Sequence, residues 1–130
     1  MSIHFLNVTE SDVACAGASS AAADRDDYDA SIAAHFVARH QPTPDQTLYW
    51  NQLAVAHAES VTDGRADALF ASLYLNLGES YHIAGRCSEA AAAATRGLAA
   101  LDSLPGGGYR AFVAGGLQRL QHRLTQPGNT

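Results

Sequence analysis

Three residues in one short stretch, Asn76, Glu79 and His82, are of types that do chemistry, with Tyr74 and Tyr81 next to them and Tyr49 further upstream. Glu79 and His82 stand three apart. On a helix that spacing puts a carboxylate and an imidazole side by side, as in the metal pairs of helical bundles. Such a centre needs a second pair and further inward glutamates. This chain offers one pair, and His57 or His35 would have to be brought in by the fold. Solvated or hydrogen-bonded helix residues are the reading that follows, with no metal and no cofactor. Other catalytic patterns are missing from the sequence. There is no Gly-x-Ser-x-Gly elbow and no glycine loop of the phosphate-cradling kind. Gly106 to Gly108 precede a helix, and they read as a loop after Pro105 rather than an anion site. Cys15 and Cys87 lie far apart without metal spacing and read as two buried thiols. His35 and His40, five apart, do not share a helix face.

These residues are positioned by helices. Residues 1–8 read as a flexible lead-in. Thr9 with Asp12 reads as a helix start, and an alanine-rich helix runs to about Ala23. The acids Asp24, Asp26, Asp27 and Asp29 read as a turn and the start of a second helix, whose stripe is Tyr28, Ile32, His35, Phe36 and Arg39. Pro42 ends it. Thr43-Pro44-Asp45 is a strong start signal, with a cap, a proline at the first helical position and an acid at the positive end of the dipole. That helix runs to about Ser60, and Thr62-Asp63-Gly64 is a turn. A long helix over 65–84 follows and closes at Gly85 as a left-handed cap. The next spans about 88–104, with Ala90 to Ala94 thin enough for close packing. Pro105 and three glycines break the chain before a helix over 109–124, whose apolar face is Tyr109, Phe112, Val113, Leu117, Leu120 and Leu124. Residues 125–130 read as a tail. No segment alternates with period two. The expectation is an all-α domain over 9–124, of about six antiparallel helices on short connections.

The bulk numbers set limits on function. With 130 residues and 47% apolar composition, the chain fits one domain with one core. Only 16% of residues are charged, which points to surface covered by a partner or a second copy. The net charge is −5, and the eight basic residues are all arginine, the bias of a GC-rich bacterial genome. Arg119 and Arg123 are the densest basic pair and read as one solvated helix face, so no nucleic-acid footprint is visible. The N-terminus lacks a signal-peptide pattern, and no stretch approaches the ~18 apolar residues of a membrane span. A cytoplasmic protein is the expectation.

The run Tyr74-x2-Leu77-Gly78-x2-Tyr81, followed by Ala90-x3-Ala94 and Pro105, resembles the tetratricopeptide repeat. A small residue at Gly78 lets the two helices of a hairpin approach, with Ala90 meeting it. Trp50-x2-Leu53-Ala54-x2-His57 echoes the first-helix signature, and Tyr28, Ser31, Ile32 and Ala38 echo the second. Trp50 and Tyr74 stand 24 residues apart against a family period of ~34, so by this resemblance a second helix is missing between them. The Trp50 helix is then expected to pack directly on the 65–84 helix. The resemblance implies a short solenoid of helical hairpins with a C-terminal capping helix. It implies a groove lined by Asn51, Val55, Ser72, Leu75, Asn76, Glu79 and His82. The family's carboxylate clamp needs basic residues there, and none matches. The function implied is a non-catalytic protein- or peptide-interaction module, self-associating as a homodimer because solenoid ends need covering. Two alternatives stand beside it: a small-ligand- or metal-binding accessory enzyme of a bacterial biosynthetic pathway, and a regulatory domain acting with a separate partner.

Overall fold

The computed structural model describes residues 20–126, with side chains from residue 26 onward. The expected helix start at Thr9, the lead-in over 1–8, Cys15 and residues 127–130 lie outside the described residues. Five α-helices follow in order: α1 Ser20–Ala38, α2 Pro44–Glu59, α3 Phe70–Ile83, α4 Cys87–Ala99 and α5 Gly108–Leu124. Two 3-10 turns, Arg65–Leu69 and Ala100–Ser103, join α2 to α3 and extend α4. There is no strand among the described residues.

Local chemistry fixes the helix ends. Thr43 is extended (φ −129°, ψ 152°), and its Oγ1 accepts from the Gln46 backbone N–H at 3.2 Å. The same hydroxyl donates to Gln46 Oε1 at 3.0 Å, a variant of the reciprocal capping box. At the end of α3, Gly85 takes φ 77°. The Gly85 N–H donates to His82 O, and the Arg86 N–H to Tyr81 O at 2.8 Å. These two bonds form the Schellman closure, which a glycine makes without steric cost. Arg86 then stacks on the Tyr81 ring at 4.9 Å and forks onto Glu89.

Pairings across helices give the topology. Asp27–His57 and Ser31–Ala54 run α1 antiparallel to α2. Asn51–Ser80 and Glu59–Tyr74 run α2 antiparallel to α3. Gly78 faces Ala90 and Ala93, and Gly97 faces Tyr74, so α3 and α4 are antiparallel too. The pairs Leu75–Gly116 and Gly78–Leu120 advance together, which makes α5 parallel to α3. The bundle is therefore two successive hairpins, α1–α2 and α3–α4, closed by α5 against α3 and α4.

Several expectations are revised by this arrangement. The chain makes no turn at Asp24 to Asp29; α1 runs unbroken through them. The helix expected over 65–84 begins as a 3-10 turn, and the one expected to Leu104 ends as one. The Trp50 helix does pack directly on α3. It is also the second member of the first hairpin, and no α-helix stands between it and α3, as the 24-residue spacing implies. On α1 the inward residues are Ser31, Ala34 and Ala38, whereas Phe36 is 53% exposed. Small residues let α2 come close and leave the larger ones outside. On α5 the inward residues are Val113, Leu117 and Leu120. Phe112, one step of about 100° before Val113, turns off that face, and Tyr109 is also exposed.

Three glycines carry the closest approaches. A Cβ built on Gly78 would lie 2.7 Å from Leu120 Cδ2, one on Gly97 2.6 Å from Leu117 Cδ2, and one on Gly116 2.8 Å from Leu75 Cδ2. Each leucine fills the notch its glycine leaves, which locks α5 onto α3 and α4.

Candidate functional site

Helix α3 packs on α2, α4 and α5, and its outward stripe follows the i, i+3, i+4, i+7 pattern through Ser72, Leu75, Asn76 and Glu79. Each of these is half-buried, as is His82 one turn on. Ser72 Oγ donates to Leu69 O at 3.3 Å. Leu75 packs into the Gly116 notch. Asn76 Nδ2 donates to His35 Nδ1 on α1 at 3.3 Å. Glu79 accepts from the Arg123 guanidinium on α5. Five of the seven sequence-derived groove residues thus share one face.

The other two are placed inside the bundle. Asn51 is 6% exposed, and its Nδ2 donates to Ser80 Oγ at 2.7 Å and reaches Asn76 O at 3.4 Å. Val55 is 7% exposed and belongs to the core. The reason lies in the position of α2. It stands between α1 and α3, so the residues that would line a groove on a first helix here face the neighbouring helices.

The structure adds residues from two helices the sequence reading did not include in this face. His35 and Arg39 come from α1, one turn apart. Burial lowers the pKa of His35 below its ordinary 6.5, and the Arg39 charge lowers it further. The ring stays neutral, with Nδ1 free to accept from Asn76. Arg119 and Arg123 come from α5, one turn apart, beside His122 and Gly115 along a shallow depression. The signal for them was present: Arg119 and Arg123 stand at i, i+4 on the last helix. It pointed to a solvated face because the sequence alone does not show that α5 lies alongside α3.

The resulting strip runs Arg39, His35, Asn76, Glu79, Arg123, Arg119 across three helices. It carries three guanidiniums and one carboxylate, and that carboxylate is paired. On a chain of net charge −5, this face has the opposite sign to the whole. The strip has donors in excess and no nucleophile held by a base. Among the described residues no three of His, Cys, Asp and Glu converge as a metal set, and the Glu79 carboxylate of the expected pair is engaged by Arg123. No described helix is long and apolar enough to cross a membrane.

The remaining chemistry-bearing residues lie elsewhere. The His57 ring is wedged between α1 and α2, with Nδ1 3.0 Å from Asp27 Oδ1 and Nε2 buried without a hydrogen-bond partner. Cys87 is half-buried at the start of α4. Comparison with protein-family models, curated proteins and solved structures gives no match.

Proposed function

We propose that the chain is a non-catalytic interaction module of tetratricopeptide-like build, and that its α1–α3–α5 face receives an extended segment of a protein partner. The observation that carries this is the polar strip over three helices, in which the α3 residues Asn76 and Glu79, on one face, are paired outward to His35 of α1 and to Arg123 of α5. The build is supported by two successive hairpins, by the α3–α4 approach at Gly78, and by a closing helix parallel to α3. A rigid scaffold of this kind offers a preorganised surface, which lowers the ordering cost of binding an extended chain. Its excess of guanidiniums favours a segment with carboxylates, since charge-assisted forks are the strong contacts at such a face.

The test is capture from a lysate of the source cells with the full chain as bait. The double variant Arg119→Glu/Arg123→Glu is compared with a control, Ala91→Arg, on the exposed back of α4. A partner retained by the wild type and the control but lost with the double variant is the expected result. Equal recovery with all three baits sinks the reading.

Self-association is a second reading. Tyr109 and Phe112 on α5 are 58% and 69% exposed, and apolar residues at a bundle edge are what a second copy would cover. Light scattering during size exclusion at micromolar concentration decides it: a dimer that becomes monomeric with Phe112→Ser is expected. A monomeric wild type removes this reading. The accessory-enzyme alternative gains no such support, because Glu79 is held by Arg123 and Tyr74 by Glu59.

A further inference from the structure

The opposite side of α3 carries a second polar constellation. At the end of the bundle, Glu59 of α2, Asp67 of the first 3-10 turn, Phe70 and Tyr74 of α3, and Arg96 of α4 surround a depression of 350 Å³. The depression is shallow and open to solvent, so a ligand there is held from one side. The Phe70 and Tyr74 rings, one turn apart, are stacked with centroids 5.9 Å apart and planes 24° apart. Ala99 and Ala100 line the same depression with methyl groups. The Tyr74 hydroxyl donates to Glu59 Oε2 at 3.0 Å. Burial and then this carboxylate raise the tyrosine pKa, so the phenol keeps its proton and remains a donor.

The charges choose among ligands. Two exposed carboxylates, Glu59 and Asp67, stand against one guanidinium, Arg96, which is itself directed at the Tyr74 hydroxyl. An anion meets net repulsion there. A divalent metal lacks a third ligand, since no such group exists among the described residues. An organic cation meets carboxylates beside the half-buried Phe70 ring, the combination that recognises ammonium and guanidinium groups.

We propose that this depression binds an organic monocation, an ammonium or guanidinium on a short apolar stem, with its nitrogen at Glu59 and Asp67 and its stem on Phe70 and Ala99. The cation comes either from a free amine or from a basic side chain of a bound protein. The site is independent of the α1–α3–α5 strip and does not rest on it.

The test is amide chemical-shift titration of the whole chain with three probes: phenethylamine, its neutral analogue 2-phenylethanol, and the peptide acetyl-Gly-Arg-Gly-amide. Saturable shifts around Glu59, Asp67, Phe70 and Arg96 are expected with phenethylamine, the peptide or both. The cation should bind at least about tenfold tighter than the alcohol, the difference one good charge pair makes. Tighter binding of the peptide identifies a side-chain ligand, and tighter binding of the amine a free one. Glu59→Gln keeps an acceptor for Tyr74, and Asp67→Asn is exposed, so the double variant should fold as the wild type. It should lose about tenfold in affinity for the cations and nothing for the alcohol. Arg96→Gln should bind the cations as tightly as the wild type or tighter. Equal binding of amine and alcohol, no effect of the double variant, or no saturation by about 10 mM probe, ten times the ~1 mM of a weak small-ligand site, overturns the proposal.

Discussion

Between α1 and α2 the contact is made by Ser31, Ala34, Ala38, Ala54 and Ala58, with the Ser31 hydroxyl donating to Ala54 O at 2.7 Å. Between α3, α4 and α5 it is made by leucines set into glycine notches. Polar groups thread the first contact and continue into α3: Asp27 on His57, Asn51 on Ser80. The second contact carries its polar pair, Glu79 with Arg123, at its rim, while Leu117 and Leu120 inside it are fully buried. The two contacts differ in what they contribute. A hydrogen bond stabilises by about 1 kcal/mol net and fixes register, while a buried leucine is worth about 2–5 kcal/mol and demands volume. The α1–α2 contact is thus specified by direction, and the α3–α5 contact by shape. The buried, unpartnered His57 Nε2 adds a cost to the first half alone. In native-state hydrogen exchange, α1 is expected to open at lower free energy than α3 and α5.

The largest effect should come from emptying a notch. Leu117 is fully buried, and its methyls fill the space beside Gly97. Leu117→Ala should cost about 3 kcal/mol, read as a shift in the urea midpoint at unchanged slope. Ser31→Ala should cost about 1 kcal/mol, because it removes one hydrogen bond and almost no volume. Similar costs for the two would erase the distinction between the halves.

Filling a notch tests the same contrast from the other side. A Cβ on Gly97 meets Leu117 Cδ2 at 2.6 Å and Tyr74 Cβ at 3.3 Å, and Leu117 has no solvent to turn into. Gly97→Ala should destabilise by about 1–2 kcal/mol despite the better helix propensity of alanine. A Cβ on Gly116 meets Leu75, which is half-buried and can rotate outward. Gly116→Ala should therefore be neutral or stabilise by up to about 1 kcal/mol. Thermal melts of the two variants should move in different directions, or one should not move.

A double-mutant cycle measures the polar contact between α2 and α3. Ser80→Ala leaves the Asn51 amide with only its 3.4 Å reach to Asn76 O, and should cost about 1–2 kcal/mol. Asn51→Leu should cost less, since the serine hydroxyl can turn to a carbonyl of its own helix. The pair together should cost less than the two singles added, with a coupling of about 1 kcal/mol. Additive costs would mean that Asn51 acts only as a space filler.

The sequence made much of the scaffold legible, because the signals for helix ends are local. Thr43-Pro44-Asp45 and Gly85 lie where their capping chemistry predicts. The closeness of α3 and α4 at Gly78 also follows from residue types alone. What stayed hidden depends on distant neighbours. Asn51 and Val55 have the spacing of groove residues, and only the position of α2 between two helices turns them inward. Arg119 and Arg123 look like a solvated face until α5 is seen alongside α3. Phe36 fits an apolar stripe by spacing, yet Ser31, Ala34 and Ala38 take the inner positions of α1 because small residues allow a closer approach, and on α5 Val113, Leu117 and Leu120 leave Tyr109 outside.

The smallest effect expected, and the one that links the polar half to the groove, is the acid response of His35. Its ring spans α1 and α3 through Asn76, and its pKa is held below 6.5 by burial and then by Arg39. A histidine whose folded pKa is depressed binds protons more readily in the unfolded chain. Its contribution to stability is therefore complete above pH 6.5 and falls as the pH drops from there toward the folded pKa. Protonation also turns Nδ1 from acceptor into donor, which sets it against the Asn76 amide. His35→Gln offers Asn76 an acceptor at every pH. The loss of melting temperature between pH 7 and pH 5 should be smaller in that variant than in the wild type, with near-equal values at pH 7 because the wild-type ring is neutral there. An identical loss in both proteins would show that His35 does not couple α1 to α3, and the acid sensitivity would then belong to other groups.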